Sequence, residues 1–315
     1  MRFKIPCKTF RLSGFFGLIL AALLLVSATG GSASQDQAAD RSLFWSIQKD
    51  GQAAGYLLGT IHSEDPRVLD FPEDFIARLR ANSVFAMELV PDLPTLARLS
   101  EYMNYPPGKT LESVIGARRF KSLEAALSTY NVQPEQINRM KPWAAMMTLS
   151  TPPPETGFFM DLSLSLRASG SGLKVVGLET LDQQLSFLEN MPVPMQLLLL
   201  DQAVAAFDQV NDAHDQMVDA YLENDLVELQ MLSDQQMQEV GKEASNYFIE
   251  LGINARNLRM AESLLPQLKV NTVFVAVGAL HLPGEKGLLN ILRQQGFELS
   301  PLEMPFLEDT VVQDQ

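Results

Sequence analysis

Short apolar runs, each closed by a glycine or an acid, alternate along this chain with longer stretches of helical period. "SLFWSIQKDGQAAGYLLGTIH", residues 42–62, reads as a β-hairpin with a turn at Asp50-Gly51 and a second strand ending at Gly59. "SVFAMELV", bounded by Asn82 and Pro91, fits a buried strand that ends near Glu88. "LKVVGLET" is of the same kind and ends at Glu179, and "NTVFVAVGALH" ends at Gly278. Between them "DFIARLRA", "TLESVIGARRFKSLEAALSTY" with Thr110 as N-cap, and a long region from about Met195 to Val240 carry helical period. "TPPPETG", from Thr151, is a surface loop. Strands alternating with helices predict an α/β layered sheet with helices. Ligands in such sheets gather at the carboxyl ends of the strands, which is where His62, Glu88, Glu179 and His281 fall. The strand before Glu88 is expected to neighbour the first of the two strands that end in histidine.

Those two strands share a motif. Two of the three histidines in the chain lie in Gly-x-x-His, as Gly59 with His62 and Gly278 with His281. The repetition raises the prospect of two similar halves, although the flanking residues differ too much to define a repeat.

The N-terminus carries Arg2, Lys4, Lys8 and Arg11, then the apolar run Gly14–Val26 and small residues, the form of a signal peptide over residues 1–34. Residues 35–315 are then expected to form a single domain, exported to a periplasmic or extracellular space. If left uncleaved, the segment would instead anchor the protein to the inner membrane. Cys7, the one cysteine, precedes the apolar run and would leave with it. The mature chain would then have no disulfide, thiolate ligand or cysteine nucleophile. The formal net charge of −14 becomes −18 once the four basic residues are removed, which argues against nucleic acid or anionic membrane as partner.

Two neutral imidazoles and one or two carboxylates at converging strand ends are a sufficient donor set for Zn²⁺ or Mn²⁺, with a position left for water. Each residue also has a plainer reading. His62 and His281 can be loop histidines bonded to carbonyls, and Glu88 and Glu179 can cap the helices that follow. Asp161 fits a first-turn helix acid. Arg256 and Asn257 can cap and pair along an ordinary helix, and His214 lies on a polar helix face.

"YLLGTIH", "VFAMELV", "MKPWAAMM", "GLKVVGLET", "NARNLRMA" and "VFVAVGALHLPGEKGLLNILRQQGFEL" resemble, in order and kind, the TraB/GumN family, which includes the Tiki metalloproteases. The resemblance runs from about Leu43 to Pro305. It implies a fold similar to that of haem-binding ChaN proteins and erythromycin esterases, and a divalent metal, Mn²⁺ or Co²⁺ in Tiki members. It matches the family's paired motifs to Gly59 with His62 and Gly278 with His281, and its glutamates to Glu88 and Glu179. Its further acid matches Asp161, and its Arg-Asn pair Arg256 and Asn257. Many relatives have a second acid two residues after the first glutamate, where this chain has Val90. The reading that follows is a metal-dependent hydrolase of peptide or ester bonds, acting on a peptide or small molecule. His62, Glu88 and His281 would hold the metal, Glu179 would act as base, and Arg256 would steady an oxyanion or substrate carboxylate. The alternative is a binding protein that takes up haem or iron on the same fold without catalysis.

Overall fold

The computed structural model of the protein describes residues 40–304. The N-terminal stretch read from the sequence as a signal peptide, with Cys7, lies outside the described residues. Six strands form one mixed sheet: β1 (Phe44–Lys49), β2 (Gln52–Thr60), β3 (Val84–Met87), β4 (Lys174–Gly177), β5 (Val273–Gly278) and β6 (Glu298–Leu302), in the order β4-β3-β5-β2-β1-β6. β2, β5, β3 and β4 run parallel, while β1 and β6 add antiparallel at the far side.

The alternation of strand and helix appears as expected, and the hairpin forms between Phe44 and Thr60. Neighbour order differs from expectation in one respect. β3 pairs with β5, not with β2, because the last parallel strand inserts between them. The apolar residues explain the insertion: Val273 through Val277 are all buried, as only a central strand covered on both faces requires. β6, "ELSPL", carries Pro301 and stands at the exposed edge, where a missing N–H costs no ladder bond.

The helical stretches also form, with local breaks. Thr110 caps Leu111–Ile115 by accepting from Ser113 N, and the run then breaks at Gly116 before Ala117–Leu127 resumes. The region 193–240 divides into Val193–Ala205, Val210–Leu222 and Leu226–Val240. A π-helical segment, Phe248–Asn254, leads directly into helix Ala255–Leu268. Such wide turns are held mostly where they place functional side chains.

Two apolar clusters result. One joins the sheet to the helices Glu73–Arg80, Met160–Gly170 and Ala255–Leu268, through residues such as Phe75, Leu164 and Leu264. The other is wholly helical, with Trp143, Leu185, Leu199 and Phe248 among its members. Glu88, Glu179 and Arg256 fall where chain segments pass from the first cluster to the second: Leu89 and Leu181 belong to the helical side, Met87 and Leu178 to the sheet side.

Candidate functional site

Parallel strands end together, and their registers align the polar residues that follow. Thr60 is level with Gly278, and Met87 is level with both Ala276 and Gly177. Glu88 follows β3 at 2% exposure, and Glu179 follows β4 at 5%. Glu88 Oε1 accepts from Gly278 N at 2.8 Å, and its Oε2 accepts from Arg256 Nη2 at 2.5 Å and Gln184 Nε2 at 3.1 Å. Glu179 Oε2 accepts from Arg256 Nε at 2.7 Å, while Arg259 Nη2 stands 3.4 Å from Oε1. Arg256, fully buried, therefore bridges the two glutamates, and its Nη1 has no hydrogen-bond partner.

Both glycines of the paired motifs have a steric role. A Cβ on Gly59 would lie 2.9 Å from Ala279 Cα, so the first motif packs directly on the backbone of the second. A Cβ on Gly278 would lie 3.2 Å from Glu88 Oε1, the oxygen that its own N–H binds. Beside them Thr60 Oγ1 donates to Asp161 Oδ1 at 2.8 Å, and Tyr221 OH donates to the Gly59 carbonyl at 2.7 Å.

His281 is 1% exposed. Asn257 Nδ2 donates to the Lys286 carbonyl at 2.9 Å, which leaves Oδ1 to accept from His281 Nδ1 at 2.6 Å. That pattern puts the ring proton on Nδ1 and a lone pair on Nε2. Nε2 faces Glu88 Oε1 at 3.6 Å, with no hydrogen-bond donor of its own. His62 follows β2 and packs its ring against Phe159, 3.9 Å between centroids, at the start of the helix that carries Asp161.

Burial and neighbouring charge separate the carboxyl groups. Burial raises Glu88, but the Arg256 guanidinium and the Gly278 N–H outweigh it and hold the pKa at about 2. Asp161, without a cation beside it, is pushed up to about 7 by burial and by the charge of Glu88. Burial also raises Glu179, against the pull of Arg256. The His281 imidazole is driven down to about 4 by burial and is neutral at neutral pH.

Glu88, Glu179, Arg256 and Gly278 thus form one hydrogen-bonded set and Asn257 and His281 a second, and the two sets face each other across the 3.6 Å between His281 Nε2 and Glu88 Oε1. Asp161 and Thr60 adjoin them through the end of β2, with His62 on the loop just beyond. His214 lies on helix Val210–Leu222 beside Asp215. Gln184, Arg259, Thr60 and Tyr221 escape the sequence reading. Gln184 had a signal: Thr180 caps the helix directly after Glu179, which turns the next inward position toward the strand ends. Arg259 lies one helical turn after Arg256, and that spacing too was readable. Thr60 and Tyr221 carry no local mark.

The donor chemistry fits a divalent cation in part. Two donors about 2.1 Å from one tetrahedral ion stand about 3.4 Å apart, close to the 3.6 Å between His281 Nε2 and Glu88 Oε1. Asp161 Oδ2 is buried without a hydrogen-bond partner and is a further oxygen of the right kind. Among the described residues, no group of three or more His, Cys, Asp or Glu side chains is arranged to hold a metal ion.

Curated relatives include the Metalloprotease TIKI homolog of Amphimedon queenslandica, 24% identical over 91% of this chain and 66% of its own length. Metalloprotease TIKI1 of Danio rerio is 24% identical over 82% of this chain and 62% of its own length. The chain thus spans less than two thirds of the length of these two relatives. No solved structure matches it. The model of the TraB/PrgY/gumN family matches residues 43–301, so the chain belongs to that family.

Proposed function

We propose that this chain is an exported metal-dependent hydrolase of peptide or ester bonds. The observation that carries the reading is the buried Glu88–His281 pair. Asn257 fixes the imidazole so that a lone pair faces a carboxylate oxygen at 3.6 Å. Two electron-rich atoms buried face to face are unfavourable unless a cation lies between them. The relatives are named metalloproteases, which supports the same reading. Glu88 and His281, completed by His62, would hold Mn²⁺, Co²⁺ or Zn²⁺. When bound, such an ion supplies Lewis acidity to water and to a substrate carbonyl.

The protein's own groups divide the remaining work. Glu179, its pKa raised by burial, has in Oε1 an oxygen with only the long Arg259 contact, and it serves as proton acceptor. Arg256 holds both glutamates in place and offers Nη1 to developing negative charge. Asn257 keeps the His281 tautomer. The net charge of −14 favours a peptide or small molecule over nucleic acid as substrate. The basic start and short apolar run support the export part of the reading. No helix among the described residues is long and apolar enough to cross a membrane.

Chelator-stripped protein titrated with Mn²⁺, Co²⁺ and Zn²⁺, followed by thermal melting and peptide-library hydrolysis, tests the reading. A bound ion at 100 times its Kd stabilises by about 2.7 kcal/mol. His281→Ala and His62→Ala should abolish that gain, and His214→Ala should retain it. Glu88→Gln should weaken metal affinity about 10-fold or more, with excess metal partly restoring activity. Glu179→Gln should keep the metal and lose roughly 10²–10⁴-fold in turnover. If no ion stabilises the unaltered protein and no peptide or ester is cleaved, the reading fails.

A further inference from the structure

Three consecutive backbone N–H groups converge on one side chain of the loop that carries His62. Glu64 Oε2 accepts from Glu155 N at 3.1 Å, Thr156 N at 2.7 Å and Thr156 Oγ1 at 2.9 Å, and its Oε1 accepts from Gly157 N at 2.9 Å. Successive N–H groups turned inward in this way form a nest for an anion. The sequence explains why these three are available. Pro152, Pro153 and Pro154 have no N–H to give, so the donors of 155–157 are the first on this segment after the proline run. Thr156 Oγ1 then accepts from Phe158 N at 3.0 Å, which ties the next residue into the same turn.

Both ends of this contact lead to candidate site residues. Glu64 lies two residues after His62. Phe159 lies two residues after Gly157, packs against the His62 ring in a tilted arrangement with 3.9 Å between centroids, and precedes the helix turn that carries Asp161. Phe159 opens that helix without a side-chain cap, so the turn at 155–157 is the nearest anchor upstream of its start. We infer that Glu64 is a positioning residue whose carboxylate clasps the 155–157 turn and so fixes Phe159 against His62. The clasp joins the loop after β2 to the segment before Asp161 and sets the two in one relative position.

The inference deepens the hydrolase reading only in its effect on turnover; the clasp itself is measured without metal or substrate. The chain has three histidines, so histidine-selective isotope labelling yields three resolvable ring signals. The close contact with the Phe159 ring gives His62 a ring-current shift that His214 does not share. Glu64→Ala should move the His62 signal, leave that of His214 in place, and speed amide exchange at 155–157 by roughly 10-fold or more. Formate or acetate, small enough to fill the vacated nest, should restore both readouts; chloride at the same ionic strength should not. Glu64→Gln, which keeps one acceptor oxygen but turns an amide NH₂ toward the donors, should fall between. In the active, metal-loaded protein, Glu64→Ala should lower kcat about 10-fold or more with little change in KM. An unmoved His62 signal, a shift shared equally by His214, or failure of formate and acetate to reverse the change overturns the inference. If the signals behave as expected while the unaltered protein hydrolyses nothing with any metal, the clasp stands and the hydrolase reading falls.

Discussion

Between pH 4 and 6.5, Asp161 and His281 pull stability in opposite directions. The folded Asp161 pKa is about 7 against an ordinary 3.8, so over this range the native state holds a proton that the unfolded chain has released. Its contribution is present at low pH and declines as pH rises through 7. The folded His281 pKa is about 4 against 6.5, so the unfolded chain holds the extra proton, and stability declines as pH falls from 6.5 toward 4. Each slope approaches about 1.4 kcal/mol per pH unit at full occupancy, and the two nearly cancel in the metal-free protein. Asp161→Asn should unmask the histidine and make the protein lose stability with acid; His281→Gln should unmask the aspartate and reverse the sign. Urea unfolding at pH 4.5, 5.5 and 6.5 in the presence of chelator reads the slopes. Equal slopes in both variants would show that these two groups do not titrate as their burial requires.

Among the elements, β2 and β5 matter most, since their ends bring the two Gly-x-x-His motifs into contact. The two glycines do different work there, and alanine should separate them. On Gly59 a Cβ meets the Ala279 Cα at 2.9 Å and Leu282 at 3.2 Å, so the strand ends must part; overpacking of this kind costs about 1–3 kcal/mol. On Gly278 it meets Glu88 Oε1 at 3.2 Å, a side-chain atom that can yield. Gly278→Ala should therefore cost about 1 kcal/mol or less, while metal affinity falls about 10-fold. Chemical denaturation beside metal titration distinguishes the two, and the assignment of roles is wrong if Gly59→Ala proves as stable as the unaltered chain. Much of this edge was legible in the sequence. Continuous apolar runs marked the parallel strands, and the polar residues closing them marked the candidate site, because a buried strand must deliver its first polar group at its end. The order of strands was not legible, since the pairing of β3 with β5 joins residues as far apart in the chain as Val84 and Val273 and leaves no local trace. β6 escaped because Pro301 and its half-exposed pattern resemble a loop. The π-helical segment before Arg256 escaped because its residues carry ordinary helical preferences.

At the scale of the whole molecule, the buried charges of Glu88, Glu179 and Arg256 stand where the sheet cluster gives way to the helical cluster. A buried ion network opposes folding through desolvation and returns that cost only while complete. Arg256→Met removes the shared cation and leaves two carboxylates buried without it, although Gln184 and the Gly278 N–H still hold Glu88 and Arg259 still reaches Glu179. Its loss should destabilise the protein by about 3–5 kcal/mol. Adding Glu88→Gln and Glu179→Gln to Arg256→Met removes the uncompensated charges and keeps similar volumes. That triple variant should recover most or all of the lost stability, because replacement of a whole buried ion network by neutral groups is often neutral or stabilising. It should also bind divalent metal more weakly than the single variant and hydrolyse nothing. Equilibrium unfolding of the single and triple variants, read beside metal titration, makes the comparison. If the triple variant is no more stable than Arg256→Met alone, the network holds the two clusters together by its hydrogen-bond geometry and not by charge balance. If it is as stable as the unaltered chain but inert, the buried triad is retained for what it does at the strand ends, and the fold does not depend on it.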